Sequence, residues 1–187
     1  MEDVLTQFKA DDFDFTRVAV IGCPGSGKTT FSNNLGHMLG RKVTHLDKLL
    51  WKPNWQMPPY DERDAIHSEL INGEEWIIDG MWKSHLPKRI MRATLVIFLD
   101  YKRSVSLSRA CERRIAYRGC QREDIADGCL EKLDSYFIKY IWNFQKQTRP
   151  LILQLLERKS ESQVVAFSSP KEARVYLQQL ATAFLFG

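Results

Sequence analysis

The chain has 187 residues, with 44% hydrophobic and 27% charged residues, which is typical of one globular domain. Its net charge of +4 suits anionic ligands but does not by itself indicate nucleic-acid binding. The sequence lacks a run of about 18 apolar residues, which argues against a membrane protein. The four cysteines form no C-x-x-C pair, so we expect reduced thiols and a cytoplasmic location.

The amino-terminal residues are acidic and lack the apolar core of a signal peptide. We therefore predict an N-terminal extension over 1–16 and a single domain over 17–187. The domain begins with an apolar run over 17–21, which predicts a buried parallel strand. Apolar side chains then recur at helical spacing up to Gly40, which predicts a helix that ends there.

Between this strand and this helix the sequence reads G-C-P-G-S-G-K-T and fits G-x-x-x-x-G-K-[ST] without a mismatch. Glycines let the backbone approach a phosphate closely, and the N–H groups at the helix start face its negative charge. Lys28 is predicted to reach the β- and γ-phosphates of ATP, and the Thr29 hydroxyl to bind Mg²⁺. The predicted phosphate-binding residues are Gly22, Cys23, Pro24, Gly25, Ser26, Gly27, Lys28, Thr29 and Thr30.

The rest of the chain alternates strands and helices. Further strands are predicted over 42–46, 76–80, 94–100 and 163–167. Helices are predicted over 60–72, 102–118, 130–156 with a break near Pro150, and from Pro170 onward, where Ser168 and Ser169 are candidate caps. An irregular segment rich in Trp and Pro covers 51–59, and a polar loop covers 119–128. This order predicts an α/β protein with a parallel sheet whose ligand lies beyond the carboxyl ends of the strands.

Three aspartates follow predicted strands, so we expect them at the ligand-binding edge of the sheet. Asp79 follows two isoleucines in a Walker B pattern and is predicted to orient a Mg²⁺-bound water. Asp47 is predicted to meet the acceptor, by hydrogen bonding or by taking a hydroxyl proton. Asp100 either belongs to the same site or caps the helix that follows.

A basic stretch covers 102–122, with seven basic residues and one acid. Arg109 and Arg113 share one helix face. The stretch is predicted to form a lid over about 109–128 that closes over the transferring phosphates. Its four predicted lid arginines are Arg109, Arg113, Arg118 and Arg122. A solvated basic face and a nucleic-acid patch are the alternatives.

Other side chains leave two interpretations open. Trp51, Trp55 and Tyr60 could stack on a substrate ring or fill a gap under the irregular segment. Lys83 and Arg89 could hold an anionic acceptor. The four histidines lack the spacing of metal ligands, so we predict structural roles for them.

The phosphate loop, the Asp79-Gly80 pair and the arginine pair Arg109/Arg113 are similar to the adenylate-kinase-like group of P-loop kinases. The stretch from about 17 to 182 resembles the bacterial P-loop family of DNA topology modulation proteins. The segments that carry this resemblance are 45–55, 75–80, 98–100, 117–124, 140–144 and 169–172. Lys83 stands where the adenylate-kinase group has the arginine of D-G-x-P-R, which argues against AMP as the acceptor.

The resemblance implies strand order 2-3-1-4-5 in a three-layer P-loop NTPase fold with a helical lid. It also implies Mg²⁺ and ATP as cofactors, a small acceptor such as a nucleoside or nucleotide, and adenine beside Ser169 and Pro170. The sequence predicts a kinase. A nucleotide-dependent DNA-binding regulator and an NTPase switch without an acceptor remain as alternatives. The sequence predicts neither the acceptor nor the oligomeric state.

Overall fold

The computed structural model describes residues 13–160 and 163–186. In this part of the chain, five strands form one sheet in which every paired neighbour is parallel. The strands are β1 (Arg17–Gly22), β2 (Val43–His45), β3 (Trp76–Asp79), β4 (Leu95–Leu99) and β5 (Val164–Phe167). Their order is β2-β3-β1-β4-β5, which confirms the predicted order and the α/β class.

Eight α-helices connect or flank these strands within the described residues. They are α1 (Lys28–Leu39), α2 (Leu46–Leu50), α3 (Tyr60–Asn72), α4 (Leu86–Arg92), α5 (Arg103–Ala116), α6 (Ser135–Gln147), α7 (Arg149–Leu156) and α8 (Pro170–Phe186). A 3₁₀ turn at Pro53–Trp55 interrupts the irregular segment. At the start of α8 the predicted cap is confirmed, because Ser169 Oγ accepts a bond of 3.3 Å from the Glu172 amide.

The central strand β1 separates two apolar layers. Val18 and Val20 face a layer that includes side chains of α1 and α8, such as Leu35 and Tyr176. Ala19 and the other alternate residues face a second layer that α4, α6 and α7 cover. Because both faces are covered, β1 reads as a continuous apolar run rather than an alternating one. The result is the predicted three-layer arrangement.

The strand register brings the predicted site residues together at one edge. Val20 pairs with Asp79 of β3 on one side and with Ile97 of β4 on the other. His45, the last residue of β2, pairs with the same Asp79. The carboxyl ends of β1, β2 and β3 therefore lie next to the start of α1, where the glycine loop ends.

The bounds of some predicted elements differ from the structure. The strand predicted over 42–46 ends at His45, and residues 46–50 form α2, so Asp47 lies in the first turn of a helix. Residues 130–134 are not helical; Asp134 instead caps α6 by accepting a bond of 2.8 Å from the Phe137 amide. The break predicted near Pro150 is confirmed: α6 and α7 meet at Thr148, and Pro150 lies in the first turn of α7, where amides lack intrahelical partners and proline is tolerated. Helix α4 was not predicted.

The start of the described chain packs against the domain. Phe15 is buried, and its ring centroid lies 6.2 Å from that of Phe184 in α8. The carbonyl of Thr16 accepts a bond of 3.0 Å from the amide of Trp76 at the start of β3. Residues 1–12 of the predicted N-terminal extension lie outside the described residues.

Candidate active site

The glycine loop reaches α1 through residues in the left-handed region. Gly25 has a φ of 82° and Gly27 a φ of 89°, a conformation that disfavours other residues. A Cβ atom on Gly25 would overlap the carbonyl of Ser106 in α5, so only glycine fits there. Gly27 directly precedes α1, whose first amides have no intrahelical partner. This geometry suits an anion at the start of α1.

Lys28 and Thr29 follow the glycines in the first turn of α1. Lys28 Nζ donates a bond of 3.1 Å to the carbonyl of Cys23, so the side chain folds back over the loop. Burial lowers the pKa of Lys28, while the charges of Asp79 and Asp47 oppose that shift. Thr29 Oγ1 donates a bond of 3.0 Å to Asp124 Oδ2. The ammonium group therefore lies in a site where two carboxylates counter its charge.

Asp79 is buried beside the phosphate loop, with only 4% of its surface exposed. Its Oδ2 accepts a bond of 3.1 Å from Ser32 Oγ of α1. Its Oδ1 lies 2.9 Å from His45 Nδ1, as the pairing of β2 with β3 allows. Both carboxylate oxygens thus have fixed positions, which holds the negative charge close to Lys28.

Asp47 approaches the same site from α2. Its Oδ1 accepts a bond of 2.9 Å from the indole Nε1 of Trp82. Burial raises the pKa of Asp47, and the positive charge of Lys28 opposes that shift. The carboxylate of Asp47 is therefore more basic than that of a solvent-exposed aspartate, and its bond to the Trp82 indole fixes its orientation.

The predicted lid arginines do not share one environment. Arg109 donates a bond of 3.2 Å to the carbonyl of Ser26 in the glycine loop. Arg113 and Arg122 both bind Glu131, at 2.9 Å in each case, and Glu131 is buried. Arg118 is exposed beyond the end of α5 and does not line the cleft. Three of the four predicted arginines thus line the site, and one lies apart.

These groups surround a single cleft of about 1050 Å³. The glycine loop lies in its wall, together with Lys28, Asp47 and Asp79. One part of the cleft is lined by α8 through Pro170, Ala173, Arg174 and Leu177. Another part is lined by Trp51, Trp55, Met57 and Trp82. Gly22, Cys23 and Ser169 of the predicted nucleotide site lie outside this lining.

Three indoles form the wall near Asp47. The ring centroids of Trp51 and Trp82 lie 5.1 Å apart, and those of Trp51 and Trp55 lie 5.6 Å apart. Tyr60, which was considered with them, instead stacks on the buried His85 at 5.2 Å, outside the cleft. The sequence left stacking on a substrate and filling a gap open for Trp51 and Trp55. Both line the cleft, and both also pack against Ile125, Ala126 and Cys129 under the irregular segment. Trp82 was not considered with them.

Two loops of the cleft are bonded to each other. We call residues 51–57 the Trp loop and residues 117–134 the lid loop. The Asn54 amide donates a bond of 3.1 Å to the carbonyl of Gly128, and Trp55 Nε1 donates one of 2.9 Å to the carbonyl of Leu130. The buried Cys129 donates through Sγ to the carbonyl of Lys52 at 3.2 Å. These contacts make the two loops one packed unit.

Two candidate site residues have structural partners instead. Asp100 forms an ion pair with Arg149 of α7, with nitrogen–oxygen distances of 2.8 and 2.9 Å, and it does not line the cleft or cap α5. Arg89, considered as a ligand for an anionic acceptor, is fully buried in α4. It donates bonds of 2.7 and 3.0 Å to the carbonyls of Gly80 and Met81. Because it is fully buried and outside the cleft lining, this guanidinium is not available to a substrate.

Replacing Arg89 with methionine is expected to lower the free energy of unfolding by roughly 3 kcal/mol. Two buried carbonyls would lose their donors, at about 1–3 kcal/mol each. Urea unfolding of the purified variant measures this loss. Arg158→Met, in which the replaced arginine is exposed after α7, is the matched control and should unfold like the parent. Equal unfolding midpoints for the two variants would show that the buried guanidinium does not stabilise the turn after Asp79.

A second prediction concerns the neighbour of Arg89. His67 is fully buried, and its Nε2 accepts a bond of 3.3 Å from Arg89 Nη1. Burial is the largest cause that lowers the pKa of His67, to about 3. The charges of Arg89, His85 and Lys88 lower this pKa further, and the charge of Asp64 opposes the shift. The folded state therefore resists protonation, and stability is lost as the pH falls below the unfolded value near 6.5.

When the pH falls from 7 to 5, we expect His67 to lower the free energy of unfolding by roughly 2 kcal/mol. The loss is about 1.4 kcal/mol for each pH unit below the pKa of this histidine in the unfolded chain. In His67→Gln, whose side-chain oxygen can still accept from Arg89, the loss over this range should be smaller by that amount. Urea unfolding of both proteins at the two pH values measures the difference. Parallel pH curves for parent and variant would contradict the prediction.

The sequence missed several side chains at the site. Glu131 binds two lid arginines, but no motif or spacing marks it. Asp124 contacts Thr29, and its only signal was its place in the resemblance over 117–124. His45 and Ser32 hold Asp79 through side chains that have no diagnostic spacing of their own. Contacts between separate elements, not local patterns, bring these four residues to the site.

The site offers oxygen ligands for a magnesium ion. Thr29, Asp79 and Asp124 supply a hydroxyl and two carboxylates at the start of α1, which is the donor chemistry that Mg²⁺ prefers. Within 13–160 and 163–186, no group of three or more His, Cys, Asp or Glu is arranged as a metal-binding cluster. A protein site of one or two carboxylates suits Mg²⁺, which usually keeps several waters and binds phosphates.

Comparison with solved structures agrees with this architecture. A gluconokinase from Sinorhizobium meliloti 1021 aligns with a TM-score of 0.51 at 17% identity, covering 91% of this chain and 93% of its own. The chain shares this α/β fold, with its glycine loop between the first strand and the first helix. A candidate kinase from Chloroflexus aurantiacus J-10-fl aligns with a TM-score of 0.47 at 15% identity, covering 90% of this chain and 98% of its own.

The sequence comparisons add no family. No protein-family model matches the chain, and no curated protein matches it. The resemblance to DNA topology modulation proteins therefore stays a prediction. In the part of the chain that the structure describes, no helix is both long and apolar enough to cross a membrane.

Proposed function

We propose that the protein is a phosphotransferase that moves the γ-phosphoryl group of Mg²⁺-bound ATP to a small hydroxyl compound. The observation that carries this proposal is the single cleft. The phosphate loop lies in its wall, with α8 lining one part and the Trp loop another. A cleft that extends past the phosphate loop in this way has space for a nucleotide and for a second substrate.

The nucleotide would lie between the glycine loop and α8. Backbone amides of the loop and the Lys28 ammonium would bind the β- and γ-phosphates. Pro170 lines this part of the cleft, which supports the adenine site that the resemblance implies near Ser169 and Pro170. Arg109, whose guanidinium contacts the loop carbonyl of Ser26, would offset negative charge that develops during transfer.

Thr29 and Asp79 would hold the magnesium ion, Thr29 directly and Asp79 through water, with Asp124 as a further oxygen ligand. When bound, the ion neutralises charge on the β- and γ-phosphate oxygens. Ser32 and His45 hold Asp79 in place for this purpose through both of its carboxylate oxygens.

Asp47 would receive the acceptor hydroxyl. In the transfer, the bond between the γ-phosphorus and the β,γ-bridging oxygen breaks, and ADP leaves. A new bond forms between that phosphorus and the acceptor oxygen, whose proton passes to Asp47. The raised pKa of Asp47 and the indole bond that orients it suit a proton acceptor.

Two observations support this function over the alternatives. Arg109, Arg113 and Arg122 turn toward the cleft and bind Ser26 or Glu131, whereas a DNA-binding patch would present its cations to solvent. The region lined by indoles beside Asp47 favours a kinase over an NTPase switch, which would not need an acceptor site.

The test is ADP release from Mg²⁺ and ATP with a panel of nucleosides, nucleotides, sugars and sugar acids. One compound should stimulate ADP release, and its phosphorylated product should be detectable by mass spectrometry. Slow hydrolysis that no small molecule stimulates would contradict the proposal. If DNA alone stimulated hydrolysis, the regulator would be the better interpretation.

A further inference from the structure

The wall of the proposed acceptor region is aromatic and continuous. Trp82 donates to Asp47 at 2.9 Å and lies 5.1 Å from Trp51, which lies 5.6 Å from Trp55. A series of ring contacts therefore leads from the proposed proton acceptor to the far side of the Trp loop. Indole faces bind flat, weakly polar surfaces such as a heterocyclic base or the C–H face of a sugar ring.

Two arginines near this wall, Arg89 and Arg63, do not line the cleft. Arg89 donates to the carbonyls of Gly80 and Met81 and is fully buried. Arg63 donates to the carbonyl of Pro58 at 2.9 Å, and its guanidinium lies 5.4 Å from the centroid of the Trp82 ring.

Arg122 lines the cleft, and its charge opposes the rise that burial causes in the pKa of Asp47. Its guanidinium is already bound to Asp124, at 3.0 and 3.2 Å, and to Glu131, at 2.9 Å. Carboxylates of the protein thus occupy the bidentate contacts that would otherwise bind an anion.

The two lysines here lie beside rings or acids. Lys132 lies 5.3 Å from the Trp55 ring centroid and 3.6 Å from Asp134. Lys83 lies 4.8 Å from the ring centroid of Tyr140. Asp134 offsets the charge of Lys132, and Asp47 also lines the cleft. A negatively charged acceptor would gain little from the lysines and would be repelled by Asp47.

From these contacts we infer that the acceptor is an uncharged alcohol with a flat ring face, which stacks on the Trp loop and directs a hydroxyl to Asp47. This inference rests on the proposed phosphotransferase function. Nucleosides and neutral pyranose sugars share this chemistry. Nucleoside monophosphates and sugar acids such as gluconate do not, although the fold resembles that of a gluconokinase.

The test compares matched neutral and anionic compounds: adenosine with AMP, thymidine with its 5′-monophosphate, and glucose with gluconate. Binding is measured without ATP by quenching of tryptophan fluorescence, and transfer is measured by ADP release. We expect one neutral compound to bind at least tenfold more tightly than its anionic partner. The nucleoside and sugar arms identify which of the two ring types the wall accepts.

Three results separate this inference from the function on which it rests. Binding of a neutral compound without ADP release supports the inference about the wall and contradicts the phosphotransferase. Stimulation of ADP release by anionic members alone supports the phosphotransferase and overturns the inference. Failure of every neutral compound to bind also overturns it.

A variant pair locates the binding. Trp51→Leu should weaken binding of the neutral compound about tenfold because one stacking surface is lost. Trp51→Phe, which keeps a ring, should retain most of it and guards against a folding defect. Trp142→Leu is the matched control, because Trp142 is exposed on α6 under the guanidinium of Arg103 and outside the cleft. Equal loss in Trp51→Leu and Trp142→Leu would place the ligand elsewhere and overturn the inference.

Discussion

Replacing Lys28 with alanine is expected to reduce ADP formation about 10³-fold with any acceptor. Lys28 folds over the phosphate loop, with its Nζ 3.1 Å from the Cys23 carbonyl. In the proposed phosphotransferase, it is the cation that would offset the charge moving between the β- and γ-phosphates. Removal of one preorganised electrostatic group in an active site costs about 10²–10³ in rate, and removal of a full charge in phosphoryl transfer up to about 10⁵.

Steady-state ADP release at saturating acceptor measures this effect, with circular dichroism to confirm folding. The control is Lys146→Ala, which removes an exposed lysine from the last turn of α6 and should leave turnover unchanged. Turnover that survives in Lys28→Ala would remove the phosphate loop from the mechanism.

Asp79→Asn is expected to reduce ADP formation about 10²-fold and to raise the Mg²⁺ concentration needed for half-maximal activity. Asparagine has nearly the same shape, and its side-chain oxygen can still accept from Ser32 Oγ, so the fold should be retained. The change removes the negative charge that Ser32 and His45 hold beside the start of α1. Its effect on Mg²⁺ dependence therefore reports the charge and not the packing.

A Mg²⁺ titration of ADP release at saturating ATP makes this measurement. Asp61→Asn is the matched control, because Asp61 is an exposed carboxylate in the first turn of α3. It should show the parent's Mg²⁺ dependence. If Asp79→Asn lost activity with an unchanged Mg²⁺ dependence, Asp79 would not serve the metal, and a role in positioning His45 would replace it.

The sequence was most informative where one local pattern determines the structure. The motif over 22–29 places glycines where the backbone needs positive φ, and the apolar run over 17–21 requires a strand covered on both faces. Helix α3 has the bounds that its pattern and the following glycine predicted. The strand order was predicted through the resemblance, since strand patterns alone do not define which strands are neighbours.

The sequence was least informative for charged side chains whose partners lie on elements far apart in the chain. Arg89 and Asp100 both resemble site residues when only local context is considered. The bond from Arg89 to the Gly80 carbonyl depends on how α4 packs, and the ion pair of Asp100 with Arg149 depends on how α7 packs. The pairing of Arg113 with Glu131 joins α5 to the lid loop, 18 residues apart. Such partners are determined by tertiary packing, which the order of residues does not show directly.

The bonds between the Trp loop and the lid loop have a consequence for how the specificity of this cleft could change. Changes near Trp55 that adapt the wall to a new acceptor would also alter the bonds to Gly128 and Leu130. Those residues lie a few positions from Asp124, which contacts Thr29 at the phosphate loop. We therefore expect a change of acceptor to require compensating substitutions over 128–130. A change of specificity at Trp55 is therefore coupled to the lid loop.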